Sequence, residues 1–380
     1  MLLIEFKKFL FDKKILTAII ILFLFELILQ MGFYKPLLKK NSYASNINRV
    51  TEHVIEKKNI LNPDILIVGT SVAFEGISIR ILNEELSQTG LKAQSLAVRG
   101  SEILVQHRIL EEYLDKLENV KVIIHVMEPG MAWVDKSETV EPTLSMLSEI
   151  GNFQSALELK KFEYEPTIPN YLFLIFKSIA YRKDFADLII NFNERIKSVV
   201  RQNKNPNLNP WDYENDHPES MQPYHITSVD DCLNRLSAQG DPTIPPASNA
   251  DHRRMLFETC GIANIVPKDS AKTPETDRYF RRLKLMYEPV LKKNIKIIHV
   301  FAPYSHVIRE FNGEERMRVW QDGLVESLAP YQKLHKLDLQ DSLGSDTSKY
   351  CFDLIHLNEM GMKSFSRILG QKLVEEIGRK

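Results

Sequence analysis

The chain has 380 residues, of which 44% are hydrophobic and 26% are charged, and its formal net charge is -1. This length is enough to bury the core of one large domain or two modest ones, and the composition is that of a globular protein. Because neither half is strongly basic, a nucleic-acid partner has no electrostatic support. The three cysteines form no Cys-x-x-Cys pair or Cys/His cluster at zinc spacing, so we expect no metal and no other cofactor.

An apolar segment, residues 15–33, lies near the N-terminus and contains one charged side chain, Glu26. Its length suits a bilayer crossing, which takes about 20 residues, and the flanking lysines weakly favour a cytoplasmic N-terminus. We therefore expect a cytoplasmic tail and a single transmembrane anchor over 1–40 and a stalk over 41–62. The main domain would lie outside the inner or cytoplasmic membrane, in the periplasm or extracellular space. A cleaved signal peptide is the alternative, but a small-x-small triplet occurs only well past the apolar segment.

A short apolar run, residues 64–68, predicts a strand that is buried on both faces, as in parallel sheets. The run leads into Gly69, Thr70 and Ser71. Open α/β sheets place their ligands at the C-terminal ends of central strands, so Ser71 is a candidate nucleophile by position. The alternative is that Ser71 only caps the helix that follows it.

Strand and helix patterns alternate along residues 63–144 and again along 281–380, the two halves of the predicted core. This order is typical of a parallel sheet with helices on both faces. We therefore predict an α/β fold with a flavodoxin-like doubly wound sheet of five parallel strands. The predicted strands are 64–68, 93–98, 121–127, 295–301 and 334–339, and the predicted helices are 77–89, 102–118, 276–292, 314–328 and 358–377.

Residues 145–280 break the alternation and are predicted to be a largely helical and loop insertion, a lid or substrate region. Its apolar run 171–176 is too short to cross a membrane. It is either a buried helix face or a lid or groove that presents apolar surface to an acyl chain or to the bilayer. Cys232 and Cys260 also lie here. They form a disulfide if the segment lies outside the cytoplasm, or they stay unpaired, since the sequence does not supply the required geometry.

An acid and an imidazole, Asp353 and His356, lie three residues apart just before the last predicted helix. An imidazole held by a carboxylate is a general base that needs a nucleophile. In a parallel sheet the C-terminal ends of all strands share one edge, so we expect this pair to meet Ser71. His356 would take the proton of Ser71, while Asp353 would fix the imidazole tautomer and stabilise the imidazolium.

The charge that develops on an acyl oxygen during attack by a serine needs fixed N–H donors. The candidates are the backbone amides of Ser71, Val72 and Gly100, and a glycine lets its amide approach closely. Glu128, Tyr304 and His306 follow other strands at the same edge and are candidates for contact with the substrate.

The order of these residues resembles the SGNH (GDSL-like) hydrolase superfamily. Gly69-Thr70-Ser71 follows strand one, a glycine follows strand two, and Asp-x-x-His-x-Asn-x-x-Gly, residues 353–361, precedes the last helix. The resemblance covers residues 64–128 and 295–377. With an N-terminal anchor, the chain looks like the cell-envelope branch that includes alginate O-acetylation proteins and the membrane-anchored protein of teichoic-acid D-alanylation. The resemblance implies Ser71 as the nucleophile, with His356 as the base and Asp353 as its orienting acid.

One position departs from that family, which usually has an asparagine after strand three as an oxyanion donor. Strand three here ends at Glu128, and an ionised carboxylate cannot donate a hydrogen bond. Losing such a donor costs about a hundredfold or more in other acyl-transfer sites. The residue after the nucleophile, Val72, also differs from the Gly-Asp-Ser-Leu pattern.

The predicted function is that of a membrane-anchored serine enzyme that moves or removes an O-linked acyl group, with acetyl favoured, on an envelope glycan. The alternatives are a simple extracytoplasmic esterase or lipase, and a catalytically degenerate protein of the same fold that binds glycan or acts as a scaffold. The expected partners are a cell-envelope polysaccharide or an acylated small molecule, the membrane, and a polytopic membrane acyltransferase.

Overall fold

The computed structural model describes residues 12–39, 42–56, 62–204, 215, 217–237 and 250–378. At its centre lies a sheet of five parallel strands in the order β2-β1-β3-β4-β5, a common order of doubly wound sheets. The strands are β1 Ile65–Val68, β2 Ala93–Ser95, β3 Val122–Met127, β4 Lys296–Phe301 and β5 Lys336–Asp338. The predicted α/β class and the five-stranded parallel sheet are therefore confirmed.

The N-terminal apolar segment forms helix α1, Lys13–Gln30, but its prediction as a transmembrane anchor is not supported. Within the described ranges, no helix is both long enough and apolar enough to span a bilayer. The helix carries three charged residues, and one of them, Glu26, is buried against protein. Its carboxylate accepts hydrogen bonds from the backbone amides of Lys177 at 2.6 Å and Ser178 at 3.0 Å. Residues 1–11, the start of the predicted cytoplasmic tail, lie outside the described residues.

The segment predicted as a stalk contains helix α2, Tyr43–Val50, which runs into a π-helical turn, Thr51–Glu56. Ser42 caps the helix by accepting a hydrogen bond from the amide of Ser45, at 3.3 Å. The apolar side of α2 is buried in the core of the domain through Ile47 and Val50. This segment therefore packs against the α/β unit and brings residues to the edge where the candidate site lies.

The helices of the first half connect β1, β2 and β3 and cover both faces of the sheet. They are α3 Ser71–Gly76, α4 Ile79–Leu86 and α5 Ile103–Tyr113.

The insertion between β3 and β4 is helical over most of its described length. Its helices are α6 Glu141–Glu149, α7 Asn152–Lys161, α8 Ile168–Ile175, α9 Lys177–Ala180, α10 Arg182–Ile190, α11 Phe192–Lys204, α12 Val229–Ser237 and α13 Ala250–Ile265. The apolar run 171–176 lies mainly in α8, where Phe173 and Leu174 are buried in the core. Cys232 and Cys260 are joined by a disulfide that links α12 to α13, with their Cα atoms 6.0 Å apart.

The second half closes the fold with three long helices. They are α14 Pro274–Lys292, α15 His306–Leu328 and α16 Glu359–Gly378, and a kink at Gly313, where the backbone is not helical, divides α15. Alternate residues of the strands face opposite sides of the sheet and supply two cores. Leu66 and Ile123 pack on the side of α5 and α14, whereas Ile65 and Ile124 pack on the side of α4 and α16. The three central strands, β1, β3 and β4, are buried on both faces, so functional side chains are accessible from the loops at the strand ends.

Candidate active site

Three predicted residues meet at the C-terminal edge of the sheet. Nε2 of His356 lies 2.8 Å from Oγ of Ser71, and Nδ1 of His356 lies 2.8 Å from Oδ2 of Asp353. Ser71 is the first residue of α3, directly after β1, while the other two lie in the loop between β5 and α16. Both distances are those of direct hydrogen bonds, and they form an unbroken chain from carboxylate to imidazole to hydroxyl.

Backbone hydrogen bonds hold the acid and the base in place. Oδ1 of Asp353 accepts from the amides of Ile355 and His356, both at 2.8 Å, so the carboxylate closes its own turn. Cys351 and Leu357 form an antiparallel bridge across the base of this turn. The geometry of the Asp353–His356 pair is therefore fixed by the local fold of the loop.

The remaining residues of the Asp-x-x-His-x-Asn-x-x-Gly block have structural roles. Oδ1 of Asn358 accepts from the amide of Gly361 at 2.9 Å and so caps α16, while its Nδ2 donates to the carbonyl of Lys349 at 2.8 Å. A Cβ at position 361 would lie 2.2 Å from the carbonyl oxygen of Tyr350. The block thus couples the start of a helix to the loop that carries Asp353 and His356, and glycine is required for the close approach.

The insertion supports the same loop from outside. Nε2 of His252 lies 2.5 Å from the carbonyl oxygen of Phe352, next to the acid. The Phe352 ring is stacked between the rings of His217 and His252, with centroid distances of 4.3 and 4.4 Å. The amide of Met221 also donates to the carbonyl of Cys351 at 2.9 Å. Sequence reasoning did not predict these contacts, because no local pattern connects residues so distant along the chain.

The electrostatic environment favours the charged form of the base. Burial lowers the pKa of His356, but the neighbouring carboxylates, Asp353 first and then Glu75 and Glu128, outweigh burial and raise this pKa above its usual range. The imidazolium that forms when the serine proton is taken is therefore stabilised in place.

A second ion pair, which sequence reasoning missed, borders the site. Glu75 lies four residues after Ser71, on the same side of α3, and is buried. Its Oε1 lies 2.8 Å from Nε of Arg99, and the Arg99 guanidinium lies 4.8 Å from the ring centroid of Phe74. The guanidinium of Arg49, from α2, lies over the same ring at 4.2 Å. The i, i+4 spacing from the serine was the one sequence feature that could have indicated Glu75.

The predicted oxyanion donors lie on the β2 side of the serine. The amides of Ser71 and Val72 belong to the first turn of α3, where the helix supplies no carbonyl to pair with them; the amide of Val72 donates to Oγ1 of Thr70, the N-cap residue, at 3.4 Å. Gly100 has a φ of +69°, and a Cβ there would lie 3.0 Å from the Tyr43 ring. The loop of Gly100 is held beside the nucleophile, because the Ser101 hydroxyl donates to the carbonyl of Gly69 at 3.1 Å.

A mainly apolar cleft of about 50 Å³ adjoins the loop of the Asp353–His356 pair through Ile355, the residue before His356, and neither Ser71 nor His356 is among its lining residues. Glu128 and Tyr304, both predicted substrate contacts, line it together with Ile355, and the Tyr304 hydroxyl donates to the carbonyl of Met127 at 2.6 Å. His306, the third predicted contact, is not among the lining residues; its Nδ1 lies 3.8 Å from a carboxylate oxygen of Asp346. The other lining residues are Gly130, Met131, Ile262, Ala263, Val266, Ile308 and Asn312.

Two other histidines belong to the core of the domain. His125 and His299 are buried in β3 and β4, and both contact the hydroxyl of Tyr287, at 2.6 and 3.1 Å. Burial lowers the pKa of His125 to about 3 and that of His299 to about 4, so both rings are neutral near pH 7.

Comparison with protein-family models and with curated proteins found no match to this sequence. The resemblance to the SGNH superfamily therefore stays a prediction that depends on the residues described above.

Proposed function

We propose that the protein is a serine-dependent acyltransferase or esterase that forms an acyl-Ser71 intermediate. The observation that carries the proposal is the chain of hydrogen bonds from Asp353 through His356 to Ser71, at 2.8 Å for each imidazole nitrogen. A serine whose hydroxyl is hydrogen-bonded to an imidazole, itself held in orientation by a carboxylate, is an activated nucleophile.

The proposed reaction has two halves. Oγ of Ser71 attacks the acyl carbonyl carbon while Nε2 of His356 takes the serine proton, and the carbonyl oxygen becomes negatively charged. The bond to the leaving oxygen then breaks, and the imidazolium gives its proton to that oxygen. In the second half a hydroxyl of the acceptor, or water, attacks the acyl-serine; His356 takes its proton and returns one to Ser71.

The cleft beside the base supports a short acyl group as the substrate. Its volume is about 50 Å³, whereas a cavity on this measure needs about 10–15 Å³ to hold one water molecule. It therefore has room for roughly three or four heavy atoms, which fits an acetyl or similarly short group. The apolar run 171–176, considered as a lid for longer chains, is not among the residues that line this cleft.

An envelope glycan as the acceptor is part of the same proposal. The ring of Tyr43 is 43% exposed beside Gly100, and such a ring offers an apolar face and a hydroxyl to a sugar. The disulfide between Cys232 and Cys260 supports a place outside the cytoplasm, since disulfides persist in oxidising compartments.

The deciding experiment is labelling of the purified protein with a fluorophosphonate, combined with hydrolysis of p-nitrophenyl acetate and p-nitrophenyl octanoate. We expect one label per chain on Ser71, faster turnover of the acetate ester, and loss of both signals in Ser71→Ala. Turnover of acyl esters by Ser71→Ala would refute the proposal, as would the absence of label on the folded wild-type protein.

Transfer and hydrolysis are separated by the fate of the acyl group. With an O-acetylated oligosaccharide as the donor and a second, unmodified oligosaccharide present, a transferase forms the acetylated second glycan. An esterase releases acetate at the same rate whether or not the acceptor is present.

A further inference from the structure

Glu128 follows β3 at the same edge of the sheet as Ser71, which follows β1. In the pairing of β1 with β3, Val68 is opposite His125, so Ser71 and Glu128 each follow a paired residue by three positions at the same edge. The charge of the Glu128 carboxylate helps to raise the pKa of His356, and Glu128 lines the cleft proposed for the acyl group. The acyl oxygen on Ser71 would therefore form between the N–H donors on the β2 side and Glu128.

One oxygen of this carboxyl is unsatisfied. Among the described residues, Oε1 of Glu128 is buried and has no hydrogen-bond partner. A buried carboxylate without a partner is costly, whereas a neutral carboxylic acid costs less and gains a donor. The apolar neighbours along the cleft, including Val266 and Ile355, favour the neutral form for the same reason.

We propose that Glu128 is a catalytic residue that acts as a neutral acid and donates an O–H hydrogen bond to the oxyanion of the acyl-Ser71 transition state. This inference rests on the proposed function. In the step concerned, the serine proton moves to His356, the carbonyl oxygen gains the electron pair, and the proton of Glu128 stays on its carboxyl while it is shared with that oxygen.

The charged groups around Glu128 are consistent with this role. Burial raises the pKa of Glu128 to about 7, and His356 opposes that rise. Burial first, and then the charge of the Glu128 carboxylate, raise the pKa values of two tyrosine hydroxyls, those of Tyr304 after β4 and Tyr279 on α14. Asp353 and Glu75, like Glu128, raise the pKa of the His356 imidazole.

These groups determine the sign of the pH dependence. The reactive form carries one proton on Glu128 and none on the imidazole. Alkaline pH therefore removes the donor by ionising Glu128. Acid pH removes the base by protonating His356, whose pKa the three carboxylates raise to about 10. Because this pKa lies above that of Glu128, only a small fraction of the protein carries the reactive arrangement at any pH.

The test compares Glu128→Gln with Glu128→Met, two substitutions of similar size that differ in the ability to donate. We expect kcat for p-nitrophenyl acetate to fall about a hundredfold or more in the Met variant, as in other sites that lose one oxyanion donor. The Gln variant should exceed the Met variant by a similar factor, because its amide donates at every pH. With the pKa of Glu128 at about 7 and that of His356 at about 10, kcat/KM of the wild type should decline at both ends of the pH range, whereas the Gln variant should keep only the decline toward acid pH, because its amide does not ionise.

Three results would overturn the inference. The first is a Met variant as active as wild type, and the second is a Gln variant as impaired as the Met variant, which would mean that the ionised carboxylate is needed. The third is loss of activity in Asn312→Leu but not in Glu128→Met, since Nδ2 of Asn312 is a second buried donor on the cleft without a partner in the described structure. If the Met variant does not fold, as judged by thermal melting, the pH profile of the Gln variant decides alone. Labelling of Ser71 in each variant separates these failures from failure of the proposed function.

Discussion

Replacing Gly361 by alanine tests whether the close approach at the start of α16 sets the geometry of the catalytic pair. The added Cβ would lie 2.2 Å from the Tyr350 carbonyl oxygen and 3.2 Å from Cβ of Leu357. Both neighbours belong to the loop that carries His356. Since Cβ contacts in proteins essentially never fall below 3.0 Å, the loop or the helix must move by at least about 0.8 Å.

Such a shift acts on stability and on activity by separate routes. Overpacking against backbone atoms costs about 1–3 kcal/mol of unfolding free energy. A displacement near 1 Å of a reacting group can cost about a hundredfold in rate, because the distance from Nε2 to the serine hydroxyl, now 2.8 Å, would no longer be kept. We expect Gly361→Ala to label with fluorophosphonate about ten to a hundred times more slowly than wild type while remaining folded at 25 °C.

The matched control is Gly261→Ala, within helix α13, where an added Cβ meets nothing within 4 Å. This variant should keep the labelling rate and gain up to about 1 kcal/mol in stability, since alanine is the better helix former. Thermal melts of both variants check the stability changes. Gly361→Ala with the labelling rate and melting temperature of wild type would refute the reasoning.

Three other perturbations follow from the site. Asp353→Asn should lower kcat by about a thousandfold or more, because the amide no longer fixes the imidazole tautomer that accepts the serine proton; unchanged kcat would contradict this role. Arg99→Ala should leave Glu75 without its partner, raise the pKa of the imidazole further, and move the acid limb of kcat/KM to higher pH, whereas Arg99→Lys should restore much of the profile. Removing the Cys232–Cys260 bond by a double serine substitution should lower the free energy of unfolding by about 3–4 kcal/mol, measured by urea denaturation, since the bond closes a loop of 28 residues; equal stability of the reduced and oxidised wild type would contradict it.

The sheet and the position of the Asp353–His356 pair were predictable because their sequence signals are local. Each apolar run lies within a few residues of the strand observed, and the parallel arrangement then brings every loop after a strand to one edge. Ser71, after β1, and His356, after β5, could therefore be placed together although 285 residues separate them. The second ion pair was missed because Glu75 and Arg99 meet only once the loops after β1 and β2 are folded side by side.

For the N-terminal helix, the local sequence signal did not indicate the contacts that the structure shows. Hydropathy over 15–33 indicated an anchor, but the length of an apolar run does not reveal what its one acid contacts. Glu26 accepts hydrogen bonds from amides about 150 residues away, at the start of α9. A contact of that kind depends on the tertiary fold, so no window of the sequence could have shown it.

The insertion between β3 and β4 holds the loop that carries Asp353 and His356, so this loop reaches its final position only when the insertion has folded. His252, in the segment between β3 and β4, contacts Phe352 exactly one hundred residues further along the chain. Contacts of such sequence separation form late, because the chain between them must first be ordered. The pairing of β3 with β4 spans a still larger separation, from Val122 to Lys296, so the sheet and the supported loop are completed in the same late stage of folding. For this chain, the appearance of a reactive serine during refolding would mark the completion of the native state.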